Sequence, residues 1–317
     1  MNCRCCNGEA QKFGRFKNVN RIVQRYRCTR CNKTFSEDQP LDGLRVDFKQ
    51  ACNVVHLLCE GMGIRAISRF TGLDTKTVMS ILELAGQKAA SLLDANIRDV
   101  RAGLVQVDEL VSFVGIKQAN APKDSDEFGS FFTYLSVDRA SKLIINTHTS
   151  KRTKEDTETF LQSLKRRVLA PFQLTTDGWN GYSGYAGRVK HVFGETIDYA
   201  TEIKRFANHG INHTARFQRP RLLSIKKSVR IGHPDLKMAT TCHCERTNLS
   251  VRLFNRRFTR LTLGYSKKLE NLRHAVALFV WHFDFCRVHS AHGKTPAQAA
   301  KLTNHVWKIE ELFTPKN

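Results

Sequence analysis

Two cysteine pairs open the chain, Cys3-x-x-Cys6 and Cys28-x-x-Cys31, with 21 residues between them. Each pair can present two thiolates from a tight knuckle, and two knuckles complete the tetrahedral sulfur cage that zinc prefers. A segment of about 35 residues buries too little apolar surface to fold alone, so the metal would supply most of its folding free energy. One structural zinc is therefore expected within residues 1–38. Cys5 adds a competing thiol, but the two-residue gap favours Cys6. The bland alternative is a set of scattered free thiols. Cys52 and Cys59 lie on an apolar helical pattern, as small core residues do, and Cys242-x-Cys244 is too tight for a knuckle.

The chain carries 51 Lys+Arg against 29 Asp+Glu, a net charge of +22. Such a field draws in polyanions and makes nucleic acid the first partner to consider. The N-terminus lacks the cationic start and apolar run of a secretory signal. The most apolar stretch, Ala275 to Cys286, is short and carries His282 and Asp284, too polar to span a bilayer. A soluble, intracellular protein without membrane contact is expected.

From Asp47 to Cys59 apolar residues recur at helical spacing, with Asp47 as N-cap. Gly61-Met62-Gly63 ends that helix. A second short pattern runs from Ile64 to Phe70, Gly72 breaks it, and Asp74 caps a third helix from Thr75 into Leu84. Residues 44–98 thus have the outline of a helix-turn-helix, whose last helix would offer Thr75, Lys76, Thr77 and Ser80 to a DNA groove. Arg65 and Arg69 would face phosphate. A three-helix packing module without DNA contact has the same outline.

Beyond Arg101 the pattern turns to strands: Leu104–Glu109, then a hairpin of Phe131–Val137 and Leu143–Thr147 about the turn 138–142. A helix from Lys154 to Val168 and a strand, Phe172–Thr176, follow, giving an α/β (α+β) mixed sheet with helices on its faces over residues 100–290. Asp108 and Asp177 end apolar strands and could sit side by side, which like charges tolerate when a cation neutralises them. Glu245 opens a helix with Asn248 and Arg252 one and two turns along the same face. Two divalent ions held by Asp, Asp and Glu suit phosphodiester chemistry, with Mg²⁺ or Mn²⁺ equally acceptable to oxygen ligands. Each acid also has a plain reading as a turn or capping residue. Glu109 is expected to point to the opposite face of its strand, and Asp138 to hold the hairpin turn.

The runs Val107-Asp108-Glu109-Leu110, Thr175-Thr176-Asp177-Gly178 and Glu245-Arg246-Thr247-Asn248-Leu249 resemble insertion-sequence-one family DDE transposases. Further similarity lies in Arg256-Arg257-Phe258-Thr259-Arg260-Leu261, Ser266-Lys267-Lys268-Leu269-Glu270-Asn271 and Thr295-Pro296-Ala297. The resemblance spans nearly the whole chain. It implies a zinc ribbon, a helix-turn-helix and a ribonuclease-H-like catalytic domain, with the three acids on Asp108, Asp177 and Glu245. It also implies metal-dependent DNA transposition in a prokaryotic cytoplasm, at the nucleoid.

Bases cluster between and after the acids: Lys204, Arg205, Arg216, Arg219, Arg221, Lys226, Lys227 and Arg230 in an expected insertion around 195–243, then Arg246, Arg252, Arg256, Arg257 and Arg260. Cations flanking a phosphodiester site from both sides are what a track for a DNA backbone needs. Phe206, Phe217, Phe254 and Phe258 interleave with them, more as core than as stacking platforms. Joining two ends of double-stranded DNA would need at least a homodimer. Residues 291–317 read as a packing tail. Two other functions fit the same motifs: a zinc-dependent DNA-binding regulator with a non-catalytic sheet, and a metal nuclease without strand transfer.

Overall fold

The computed structural model describes residues 1–37, 39–123, 125–183, 187–207 and 221–314. Strands β1 (Ala10–Lys17), β2 (Ile22–Cys28) and β3 (Thr34–Ser36) pair antiparallel in that order. Among residues 1–37 only Cys3, Val23 and Cys28 are buried, so this small sheet has almost no apolar core. Its cysteine turns close on Asn7 and Asn32, both at φ 55°, a left-handed conformation that asparagine accepts more readily than most residues.

Three helices follow. The Asp47 carboxylate caps α1 (Phe48–Cys59) by accepting from the Gln50 amide at 3.0 Å. Helix α2 (Ile64–Thr71) stops on Gly72 at φ 72°, the left-handed cap that glycine supplies without a Cβ penalty. Asp74 caps α3 through the Lys76 amide at 2.7 Å. Helix α3 (Thr75–Asn96) runs past Leu84, where the sequence pattern ends it. The reason is tertiary. A Cβ at Gly86 would lie 2.4 Å from the His274 Cβ. The glycine marks where α3 crosses helix α8 (Leu269–Trp281). Val78, Ile81, Leu82, Ala85 and Ala89 of α3 share one buried cluster with Val105, Val107, Phe160 and Trp281. The helical unit is therefore packed onto the sheet that follows.

That sheet contains β4 (Leu104–Val114), β5 (Gly129–Asp138), β6 (Ile144–Ser150), β7 (Gln173–Thr176), β8 (Asp198–Phe206) and β9 (Leu222–Ile231), in the order β6-β5-β4-β7-β8-β9. β4, β5 and β6 form an antiparallel meander. β7 and β8 run parallel to β4, and β9 returns antiparallel on the far edge. A three-strand meander whose first strand is central and continues into two parallel strands is the ribonuclease-H-like arrangement. Strands β8 and β9, which fall within the stretch expected as an insertion, are thus paired into the sheet. Helices α4 (Lys154–Lys165), α5 (Asn180–Ser183) and α6 (Arg188–Phe193) lie on one side, around Tyr134, Phe160 and Val189. The other side buries Leu110, Leu135 and Ile144 against α7 (Cys242–Phe254) and α8. In the hairpin turn, Asp138 accepts from the Ser141 amide and hydroxyl at 2.8 and 2.5 Å, so its role is structural. After the short helix α9 (Pro296–Ala299), the last described residues bury Leu312 and Phe313, whose ring meets Phe48 of α1 edge-on. No described helix is long and apolar enough to cross a membrane.

Candidate active site and metal centre

The ladder between the parallel strands β4 and β7 ends with Gln106 opposite Thr175. Two residues further along each strand, on the same face, stand Asp108 and Asp177. β7 stops at Thr176 while β4 continues to Val114, so Asp177 emerges just past the end of its strand beside Asp108, close to where open α/β sheets place their sites. Asp177 then begins a tight turn, its Oδ1 accepting from the Trp179 amide at 3.0 Å.

Carboxylate oxygens of Asp108, Glu109 and Asp177 all lie within 4.8 Å of one another. Glu109 joins this group although it points to the opposite face of β4, as strand alternation predicts. Its side chain does leave β4 toward the α5 side, where it accepts from Tyr182 Oη and from Arg152 at 2.9 Å. With β7 already ended, however, no strand separates it from the two aspartates. Burial pushes the Asp108 carboxyl up to about 6, with the charges of Asp177 and Glu245 adding to the rise. Burial likewise raises Glu109 to about 7, against the opposing Tyr182 and Arg152 contacts. Asn248 of α7 donates to Asp108 Oδ2 at 2.7 Å, while its own buried Oδ1 has no partner among the described residues.

Glu245 lies outside the three-acid group. It sits in the first turn of α7, near enough for its charge to act on Asp108. Its side chain is 48% exposed and bonded to Lys204 Nζ at 2.5 Å and to the Thr241 hydroxyl at 2.9 Å. Lys204 also reaches Glu202 at 3.3 Å. The Glu202 carboxylate is buried and accepts from the Thr241 amide at 2.9 Å, fixing the start of α7. Burial opposes ionisation of Glu202, but the Thr241 amide and the Lys204 charge prevail and lower its pKa. Glu202 shares a face with Asp177, and sequence reasoning missed it. The alternation Glu202-Ile203-Lys204 could have revealed an acid and a base on one face of a strand. Lys204, read as part of a DNA track, is instead committed to two acids.

Hard oxygen donors packed this closely, two with raised pKa values and an orphaned amide oxygen beside them, are the donor set a divalent cation would satisfy. Four sulfurs form the second candidate centre: Cys3, Cys6, Cys28 and Cys31 lie within 4.8 Å of one another. Cys3 and Cys31 are 3.6 Å apart, and Cys6 and Cys28 are 3.5 Å apart. A tetrahedron with metal–sulfur bonds of about 2.3 Å has edges of about 3.8 Å, so the knuckles stand close to a ligating arrangement. The amides of Cys31 and Arg30 point at the Cys28 sulfur and favour its thiolate. Cys5 is exposed and bonded to Lys33 instead.

Among the residues expected to touch DNA, Thr75, Lys76, Arg246 and Arg256 are exposed, and Thr77, Arg252 and Arg257 are half-buried. Arg252 is near enough to Asp108 to lower its pKa. Phe258 is buried, and Phe254 lies under the Arg287 guanidinium at 3.7 Å. Arg216, Phe217 and Arg219 lie outside the described residues.

No protein-family model matches the chain, and neither does any curated protein. Similar solved structures include a chain in the cryo-EM structure of the simian T-cell lymphotropic virus intasome with PP2A regulatory subunit B56 gamma. It is 15% identical over 79% of this chain and 74% of the other, with a TM-score of 0.36. Another is the piggyBac transposase synaptic complex with hairpin DNA, at 9% identity, 84% and 69% coverage and a TM-score of 0.36. A third is the Mos1 transposase paired-end complex with left transposon end, at 12%, 47% and 57%, and 0.19. Superpositions this loose assign nothing, and the fold assignment rests on the strand order and directions given above.

Proposed function

We propose that the chain is a DNA transposase of the insertion-sequence-one type it resembles, acting through Asp108, Asp177 and Glu245. The observation that carries this reading is the register of β4 and β7, which sets Asp108 beside Asp177 just past the last paired row. In this reading the four cysteines hold one structural zinc. The α3 N-terminus, with Thr75, Lys76 and Thr77, reads the ends of the element, and Arg246, Arg252 and Arg256 meet the DNA backbone.

Two Mg²⁺ or Mn²⁺ ions, when bound at the acids, would activate an attacking oxygen and stabilise a leaving one. The chain's own groups prepare that chemistry. Asn248 holds Asp108 in one orientation, and the Trp179 amide does the same for Asp177. Glu202 anchors the Thr241 amide at the start of α7, which carries Glu245 to the rim of the site. Water first cuts the strand to leave a 3′-hydroxyl, which then attacks target DNA. Action on two ends calls for a homodimer or larger assembly on double-stranded DNA, in a prokaryotic cytoplasm at the nucleoid.

One observation favours a different reading. Glu245 is tied to Lys204 and stands apart from the other acids, as it would in a DNA-binding regulator with a silent sheet. Incubating the protein with element-end DNA and magnesium separates the readings. Joined products mark a transposase, cut but unjoined products a nuclease, and bound, intact DNA a regulator. Asp177→Ala and Glu245→Ala should each abolish joining and leave end binding in place. Joining retained in both variants would refute the assignment.

A further inference from the structure

A cleft of about 710 Å³ opens along the seam where α2 and α3 meet α8 and the segment after α7. Its size is that of a small-molecule site. Its floor is apolar, formed by Leu58, Met62, Met79, Leu82 and Phe279 among others. Five of its lining residues are cationic, Arg65, Arg256, Arg257, Lys267 and Lys268, and none is acidic.

Arg257 is the telling member. It is half-buried, it forms no ion pair among the described residues, and its side-chain contact is the Met79 sulfur at 3.7 Å. Burial depresses its pKa with no acid to offset the effect. A desolvated cation without a counter-ion among the described residues costs folding free energy, and an anion arriving from outside would offset that cost. Asn271, on the same wall, has a buried Oδ1 with no partner among the described residues. The cleft therefore offers charge for a phosphate, apolar and aromatic surface for a ring, and an acceptor for an amine. Thr75, at the start of α3, lines its mouth. The far end of α7, at Phe254, reaches it about 14 Å along the helix from Glu245.

We propose that this cleft seats an unpaired nucleotide of a DNA strand, with its phosphate on Arg257 and neighbouring cations and its base over the apolar floor beside Asn271. The proposal rests on the preceding functional reading only in taking DNA as the ligand. An acidic peptide would satisfy the cations, but it gives no use to the aromatic floor or the orphaned acceptor.

The test uses the full chain and two duplexes, one blunt and one with a three-nucleotide 3′ tail carrying 2-aminopurine. The tailed duplex should bind about tenfold more tightly, within the range that stacking one base supplies, and its fluorescence should change on binding. Arg257→Met should bring the ratio of affinities close to one and should melt no earlier than wild type, because it removes an unpaired buried charge. Ala66→Phe, which fills the cleft from α2, should also erase the preference. Equal binding of both duplexes by wild type would overturn the proposal. So would a preference that persists in both variants, loss of the preference to a competing poly-glutamate peptide, or early melting of Arg257→Met. A tail preference without any strand joining would sink the transposase reading and leave this one standing. Joining without a tail preference would do the reverse.

Discussion

Asp108→Asn should stabilise the protein at neutral pH, although it removes a carboxylate from the candidate site. In the folded chain the Asp108 pKa is raised from 3.8 to about 6, chiefly by burial. A shift of roughly two units at 1.36 kcal/mol each corresponds to about 3 kcal/mol. For an acid with a raised folded-state pKa, the native state holds the proton more tightly than the unfolded chain. Stability is then full below pH 4, falls as pH climbs through the window from about 4 to 6, and stays low above it. The asparagine variant has no such loss. It also keeps the bond from Asn248 Nδ2, because its carbonyl accepts as the carboxylate did. Urea unfolding followed by tryptophan fluorescence in magnesium-free buffer should show the variant more stable by up to about 3 kcal/mol at pH 8, with the two curves converging near pH 4. Magnesium at a hundredfold its dissociation constant should return about 2.7 kcal/mol to wild type and little to the variant. The reasoning fails if the variant is no more stable than wild type at pH 8, if its advantage persists undiminished at pH 4, or if magnesium stabilises both alike.

Cys6→Ser should lose bound zinc and Cys5→Ser should keep one equivalent per chain, because only Cys6 lies in the four-sulfur group. Metal analysis of the purified proteins decides this, and equal zinc content in both would count against it. Lys204→Met should bind Mn²⁺ several-fold more tightly in calorimetry, because it removes the cation that holds Glu245 away from the other acids. Unchanged or weaker binding would show that Lys204 does not compete with metal.

What the sequence revealed follows from how local each signal is. A knuckle is four residues long, so the cysteine spacing carried its geometry with it. Asp108 and Asp177 were legible because each follows an apolar run, and parallel pairing then brings them together, although β4 continues past Asp108 to Val114. The rim of the site was not legible in the same way. The grip on Glu245 comes from Lys204 on β8 and the support of α7 from Glu202, and both depend on which strand lies next to β7. Residues 195–243 read as an insertion because their bases dominate the pattern, and β9, exposed along most of its length, has its apolar alternation of Leu223, Ile225, Val229 and Ile231 interrupted by Lys227. Helix α3 continues past Leu84 because it packs along α8, a close approach at Gly86 that local spacing does not reveal. Glu109 was set aside because alternation puts it on the opposite face, where it is found, but the end of β7 leaves its carboxylate within reach of the two aspartates.

The crossing of α3 and α8 at Gly86 makes the unit that would grip the DNA and the unit that would cut it one piece of stiff material. Under the proposed function, the number of base pairs between the sequence recognised and the bond broken would then be a property of the folded chain, set as a caliper is set. A longer or shorter α3 would move the cut along the DNA.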